Sequence, residues 1–481
     1  MTATDAEALR ATWKQHYEVA PGQLAKMGGI RGAASVFNAN IDAVRKVKPA
    51  TLKAWADRLG GDPARFLADG PTTIRTPDDV LRGFLKCFAG GIAQEWLVRE
   101  ESAFAWMREV LGHDRLQMGG QGGIISNVLA VCGVQKVYAH CASLPAQQAG
   151  LFLDRDNLLS TGADGRLTRA TLARRDQDLP LIHWILEFDA RDEIELGGRT
   201  LHCPKSNRFI ATWDPENFRL AIDPSFDRAL REAEPHLEYA LLAGYQMLQH
   251  PLADGSSGLA RIAQSKAVLD GWRKAHPGLV VHFEFASTQD SAVRKELLDT
   301  VAPWADSCGL NEQELIDVLE VMGEKELASE CRGHLASVPL FRGLERIFQH
   351  TGVARIQLHM LGLYVTLQKP GHRTPPETTR SGMMLAATIA AAKAGTGSIE
   401  KEENLFWAHG REVADISLRE LGELAAHLAP RGAAADALPS TGIARLPEYD
   451  VVAVPTILIE RPVTLVGMGD TISSLSLLGA R

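Results

Sequence analysis

A chain of 481 residues, with 45% hydrophobic and 23% charged residues, has ample material for a large buried core. Its net charge of -8 argues against nucleic acid or an anionic membrane as the main partner, while leaving room for a local basic site for a small phosphate. The six cysteines (87, 132, 141, 203, 308 and 331) form no CxxC pair, which suits reduced thiols in a reducing compartment rather than a disulfide or zinc framework.

In chain order, the N-terminus carries Asp5, Glu7 and Glu18 and no continuous apolar run, so a cytoplasmic location is expected. A short β-like run, Ser35–Phe37, is followed by a polar triplet that includes Asn40 and Asp42. Helical patterns cover Leu81–Val98 and Gly123–Ala130, with Gly119-Gly120-Gln121-Gly122 just before the second. From about Leu151 to Phe226 the sequence turns to short β-like pieces, charges and turn residues, as in a small β-rich lid. Helices over Gly258–Lys274, Ser291–Val301, Glu312–Leu319 and Gly382–Ala394 then alternate with strands at Leu279–Phe285, Ala354–Leu358, Val451–Val454 and Val463–Val466. Such alternation predicts an α/β fold with a central, mostly parallel sheet. The apolar run Gly382–Ala392 stops at Lys393 and is too short to span a bilayer.

The expected division gives the large nucleotide-binding body residues 1–34, 49–116, 124–180 and 226–481. The lid receives 35–48, 117–123 and 181–225.

Chemistry concentrates at the C-terminus. A strand pattern, then Gly467-Met468-Gly469-Asp470, then an apolar helix, is the order that builds an anion site. Glycines admit a ligand to the backbone N–H groups, and the helix start adds positive partial charge. A carboxylate there can take a proton from an attacking hydroxyl beside the bound phosphate. The same four residues also suit a plain turn with Asp as helix cap. No third glycine follows, since Ile472 stands there, and there is no Gly-Lys-Ser/Thr loop.

Glu284 alternates with Phe283 and Phe285 and falls at a strand end, where ligands of open α/β sheets bind. A structural contact with His282 explains it equally well. Asn311 and Glu314, three apart at a helix start, fit either a capping box or a water-mediated Mg²⁺ site. Asn40 and Asp42 suit neighbouring sugar hydroxyls, or a turn.

Several segments in order and spacing resemble the ADP-dependent sugar kinases, the glucokinases and phosphofructokinases of the ribokinase-like superfamily. They are FNANID (37–42), MGGQGGIISN (118–127), IHWILEF (182–188), NRFI (207–210) and AGYQ (243–246). HFEFAS (282–287), GLNEQEL (309–315), VPT (454–456) and GMGDTISS (467–474) complete the series. The resemblance implies a ribokinase-like body with a β lid, and in-line transfer of the terminal phosphoryl of Mg·ADP to a sugar hydroxyl.

By the same resemblance Asp470 is the base, with Gly467, Met468 and Gly469 as its anion hole. Asn40, Asp42, Gly120, Gln121 and His183 hold the sugar, and Glu284 and Glu314 organise Mg²⁺. Arg208 meets a phosphate, and Asn311 and the backbone near Val454 meet the nucleotide. Ser206 departs from the pattern. The stretch Ala89–Glu95 matches only loosely, and a Glu95 carboxylate there favours a neutral sugar such as glucose over fructose 6-phosphate. Small-molecule partners and a monomer or small homo-oligomer are expected. An ATP-dependent ribokinase-type enzyme and a sensor without turnover stand as the alternatives.

Overall fold

The computed structural model describes residues 3–234, 236–432, 436–464 and 467–481, with side chains from residue 6 onward. The parallel alternation read in the sequence builds one sheet of eleven strands. Its parallel centre runs Arg355–Met360, Ser307–Leu310, Val280–Glu284, Tyr239–Leu242, Ala33–Val36, Val137–Ala139, Leu158–Thr161. Leu363–Gln368, Asp450–Pro455 and Ile443–Arg445 extend it antiparallel on one side, and Leu167–Arg169 on the other. Helices cover both faces, which is why the central strands read as unbroken apolar runs.

Strand order reverses at Ala33–Val36, so the loops leaving it and Tyr239–Leu242 open into a crevice, the usual ligand position in open α/β sheets. Phe37 and Asn38, directly after that strand, both take left-handed φ of 68° and 57°. Two consecutive non-glycine residues in this region carry strain that the surroundings must offset. Here the Asn38 carbonyl accepts the Gly122 N–H at 3.0 Å, and Asn217 braces the Asn38 side chain.

A second sheet of six strands forms the lid, in the order Thr73–Ile74, Gln94–Val98, Asn207–Trp213, Ile182–Phe188, Asn40–Lys46, Arg115–Gly119. It has a core of its own around Phe84, Phe88, Trp96, Phe188 and Phe209. The helices Pro49–Leu59, Pro77–Gly90 and Glu101–Val110 supply the other half of that core.

This corrects the expected division: residues 49–116 belong to the lid, not to the large body. Amphipathic spacing shows that a helix buries one face but not against which sheet. Ala33–Val36 likewise belongs to the large sheet, so the lid begins after it. The helix expected over 81–98 ends earlier. Thr76 and Asp79 form a capping box at its start, Gly91 closes it in a left-handed turn, and Gln94–Val98 is a lid strand. The strand expected at Val463–Val466 is absent over the described part: Arg461–Thr464 has no regular structure and Val463 is exposed, while Leu465 and Val466 lie outside the described residues.

Candidate active site

The helix Met468–Leu478 starts at Gly467, whose left-handed φ of 62° suits glycine. Asp470 lies in its first turn, 7% exposed. Gln121, at the start of the helix Gln121–Val131, donates its side-chain N–H to Asp470 Oδ1. Burial pushes the Asp470 carboxyl up to about 6, held back by the charge of Lys393 and the Gln121 bond. Lys393 is itself buried. It donates to the Gly467 carbonyl at 3.0 Å and to Thr471 Oγ1 at 3.2 Å. Burial lowers its pKa to about 8, against the pull of Asp470. A buried carboxylate, a glycine-started helix and a buried lysine thus meet at one helix end.

Beside this turn, two strand ends and the first turn of the helix Glu312–Val321 bring Glu284, His359 and Glu314 together. One ligand atom from each lies within 4.8 Å of the others, a spacing that a cation with bonds of roughly 2.0–2.4 Å can bridge. Glu314 and Asn311 do form the capping box, with bonds of 2.9 and 3.0 Å, so the capping and functional readings of this motif coexist. Burial, together with the Asp470 and Glu314 carboxylates, raises Glu284 well above the usual carboxylate range. Glu314 rises to about 8, chiefly through burial. Crowded, buried acids of this kind fit a site completed by positive charge. Gly309 makes room for them: a Cβ there would stand 2.1 Å from Glu284 Oε2.

Of the residues expected to hold a sugar, Asn40, Asp42 and His183 lie on the lid face turned away from its core. Asp42 pairs across strands with His183, and His183 with Thr212. Their neighbours Ile41, Trp184 and Ala211 point into the core instead. Asn40 donates to Asp42 Oδ1 at 2.9 Å, and its own Oδ1 is buried with no partner among the described residues. His183 bonds Asp214 at 3.0 Å. Burial opposes its charge, yet Asp214, Glu95 and Asp42 together lift it to about 8. Glu95 is exposed on the same face and accepts the Thr212 hydroxyl at 2.5 Å. Gly119 and Gly120 press on this group, a Cβ at Gly119 falling 2.1 Å from Asp42 Oδ1.

Two cavities flank the site. One of about 930 Å³ runs from Gly469 and Asn311 past Tyr364 and Ala390 to Thr456 and Ile457. Val454 is buried in its strand and does not line this cavity, which begins two residues later. Met468 does line it. The other, of about 710 Å³, opens between lid and body, with Glu95 and Arg99 facing Gln246 and Asp290. Arg208 sits on the cleft face of its strand, beyond Ile210 and Thr212, without lining either cavity.

Sequence reading gave no role to His359, Lys393 or Asp214. A lone lysine closing the apolar run Gly382–Ala392, and the place of His359 just after a strand pattern, were the visible signals. His359 and Asp214 meet their neighbours only through tertiary pairing.

Residues 32–479 match the conserved region of the ADP-specific Phosphofructokinase/Glucokinase family. The chain is 28% identical to the ADP-specific phosphofructokinase of Methanosarcina acetivorans, over 96% of each chain. It is 31% identical to the ADP-dependent glucose/glucosamine kinase of Pyrococcus abyssi, over 96% of this chain and 97% of that one. Among solved structures, an ADP-dependent kinase in complex with fructose-6-phosphate and ADPβS superposes with a TM-score of 0.82 at 27% identity, covering 97% of both chains. The ribokinase-like fold expected from the sequence is thereby this chain's fold.

Proposed function

The chain belongs to the ADP-specific phosphofructokinase/glucokinase family and is an ADP-dependent sugar kinase; within that activity we propose a neutral hexose, with glucose as the test case, as its acceptor. The carrying observation is the charge around the sugar face. Asp42, Glu95 and Asp214 surround a single histidine there, so the local balance is negative. Carboxylates accept hydrogen bonds from neutral hydroxyls and repel a sugar phosphate.

Asn40, Asp42, Gln121 and His183 hold the acceptor with a hydroxyl toward Asp470. Asp470 takes the hydroxyl proton as the oxygen attacks the terminal phosphorus of ADP. The bond from that phosphorus to the bridging oxygen breaks, and AMP leaves. N–H groups of the Gly467–Gly469 turn receive the charge on the transferring group. A divalent cation held at Glu284 and Glu314 would neutralise phosphate charge. Lid closure over the cleft would exclude water and so suppress hydrolysis of ADP.

Arg99, which lines the inter-domain cleft, favours the second reading, a phosphorylated acceptor such as fructose 6-phosphate. Steady-state kinetics with both sugars decide. At least tenfold higher kcat/KM for glucose, falling on Glu95→Ala, is expected; a preference for fructose 6-phosphate overturns the proposal.

A further inference from the structure

Asp214 directly follows the lid strand Asn207–Trp213, where the chain turns back toward the large body, and it is fully buried. A carboxylate withdrawn from water persists only where its oxygens are engaged. Oδ2 accepts from His183 Nε2 at 3.0 Å and from the Asn217 side chain at 2.9 Å, and Oδ1 accepts the Asn217 backbone N–H at 3.2 Å. We propose that Asp214 is a positioning residue for the acceptor sugar. It orients the His183 ring and, through Asn217, fixes the crossing from body to lid at 37–39 that delivers Asn40 and Asp42 to the same face. The inference rests on the reading that Asn40, Asp42 and His183 hold the sugar, and it adds the residue that sets them relative to one another.

Three observations carry it. The bond from Nε2 settles the ring: a carboxylate only accepts, so Nε2 bears the proton and Nδ1 is the nitrogen left for a ligand. Burial opposes a charged ring, but the three carboxylates facing it, Asp214 before Glu95 and Asp42, favour one. Nδ1–H then donates to a sugar oxygen while Asp42 accepts from a sugar hydroxyl. Next, the Asn217 amide reaches from Asp214 to the Ala39 carbonyl at 3.3 Å and to Asn38 Oδ1 at 3.5 Å. Gln148, wholly buried, donates to the same Ala39 carbonyl at 3.0 Å. Finally, this crossing needs holding, because Phe37 and Asn38 both take left-handed φ there. Asn40 opens the lid strand immediately afterwards, with Asp42 two residues on. A Cβ on Gly120 would stand 2.2 Å from the Asn38 carbonyl oxygen and 2.7 Å from Asn40 Oδ1, so crossing and sugar face are packed as one unit. A shift of the crossing therefore displaces Asn40 and Asp42 together, and loss of the Asp214 carboxylate frees the crossing and the imidazole at once.

The test uses the full chain, titrated with glucose, with fructose 6-phosphate and with ADP, so that the outcome does not depend on which sugar the enzyme prefers. In Asp214→Asn the dissociation constant of the sugar that the wild type binds should rise on the order of tenfold or more, with ADP binding little changed. Imidazole NMR should show His183 titrating near 8 in the wild type and about one unit or more lower in the variant. Wild-type sugar affinity should accordingly hold to about pH 8 and weaken above it, and in the variant the weakening should begin at lower pH. Asn217→Ser should weaken sugar binding while the His183 titration stays in place; unchanged sugar binding there overturns the link to the crossing. Asp214→Ser serves if the asparagine variant fails to fold. Wild-type sugar affinity in a folded Asp214 variant, beside a His183→Gln variant that has lost it, overturns the inference and leaves the sugar-side reading standing. Equal loss of sugar and ADP binding, with the His183 titration unmoved, makes Asp214 a general structural residue and also overturns it. Wild-type sugar affinity in both His183→Gln and Asp42→Asn overturns the sugar-side reading and the inference with it.

Discussion

Gly309→Ala concentrates the argument about the acidic cluster in one methyl group. Gly309 sits in the buried strand Ser307–Leu310, and a Cβ there would lie 1.9 Å from Ser473 Oγ and 2.1 Å from Glu284 Oε2. Real Cβ atoms essentially never approach closer than 3.0 Å, so the Glu284 carboxylate must retreat by roughly 1 Å, the scale of displacement that costs about 100-fold in rate. Ser473 is on the helix that carries Asp470, so the same methyl also pushes on that helix. Over-packing of this kind destabilises by about 1–3 kcal/mol, little enough for the chain still to fold. Thermal unfolding of the variant should therefore remain cooperative at a slightly lower Tm, while kcat/KM falls about 100-fold and the cation requirement rises. Gly422→Ala is the control. Nothing lies within 4 Å of a Cβ there, and in its helix alanine should add roughly 0.5–1 kcal/mol of stability with activity unchanged. Wild-type activity and cation dependence in Gly309→Ala would refute the placement of Glu284.

Further outcomes follow from the same geometry. Asp470 must be ionised to act as a base, so kcat/KM should fall with acid below about pH 6, the value to which burial raises it. Lys393→Met removes the cation that holds this value down, and the acid limb should move to higher pH while Lys393→Arg restores part of the profile. Because the folded pKa of Asp470 lies above its unfolded value of 3.8, the stability it confers when protonated is lost as pH rises through about 6. Asp470→Asn should thus abolish turnover yet raise stability at pH 7–8 by up to about 3 kcal/mol in chemical unfolding. Gly119→Ala should raise the KM for sugar with little effect on ADP binding, since its Cβ strikes Asp42 and Asn40; isothermal titration with each ligand distinguishes the two.

Where local pattern decided the structure, it was legible in the sequence. The alternation of apolar runs and helices predicts the parallel sheet, and Gly467 marks the start of the last helix, although that helix begins at Met468 rather than after Asp470. Glu284 could be placed at a strand end because period two fixes its neighbours on opposite faces. Illegible were the relations set by docking. The helix Pro77–Gly90 has the same amphipathic spacing whether it covers the large sheet or the lid, and only Phe84 and Phe88 meeting Phe188 settle it. His359 reads as one more core residue until the strand Arg355–Met360 takes its place beside Ser307–Leu310 and the helix Met468–Leu478 brings Gly469 against it. Asp214 gains meaning only from His183, 31 positions away.

The central claim is the use of Asp470 to pass the terminal phosphoryl of ADP to a sugar. Its most direct test is AMP formation by the purified chain with a divalent cation, crossing ADP or ATP with glucose or fructose 6-phosphate, beside Asp470→Asn. The account predicts AMP from ADP with glucose and none from the folded variant. AMP formation that survives in Asp470→Asn, or turnover with ATP alone, would contradict it.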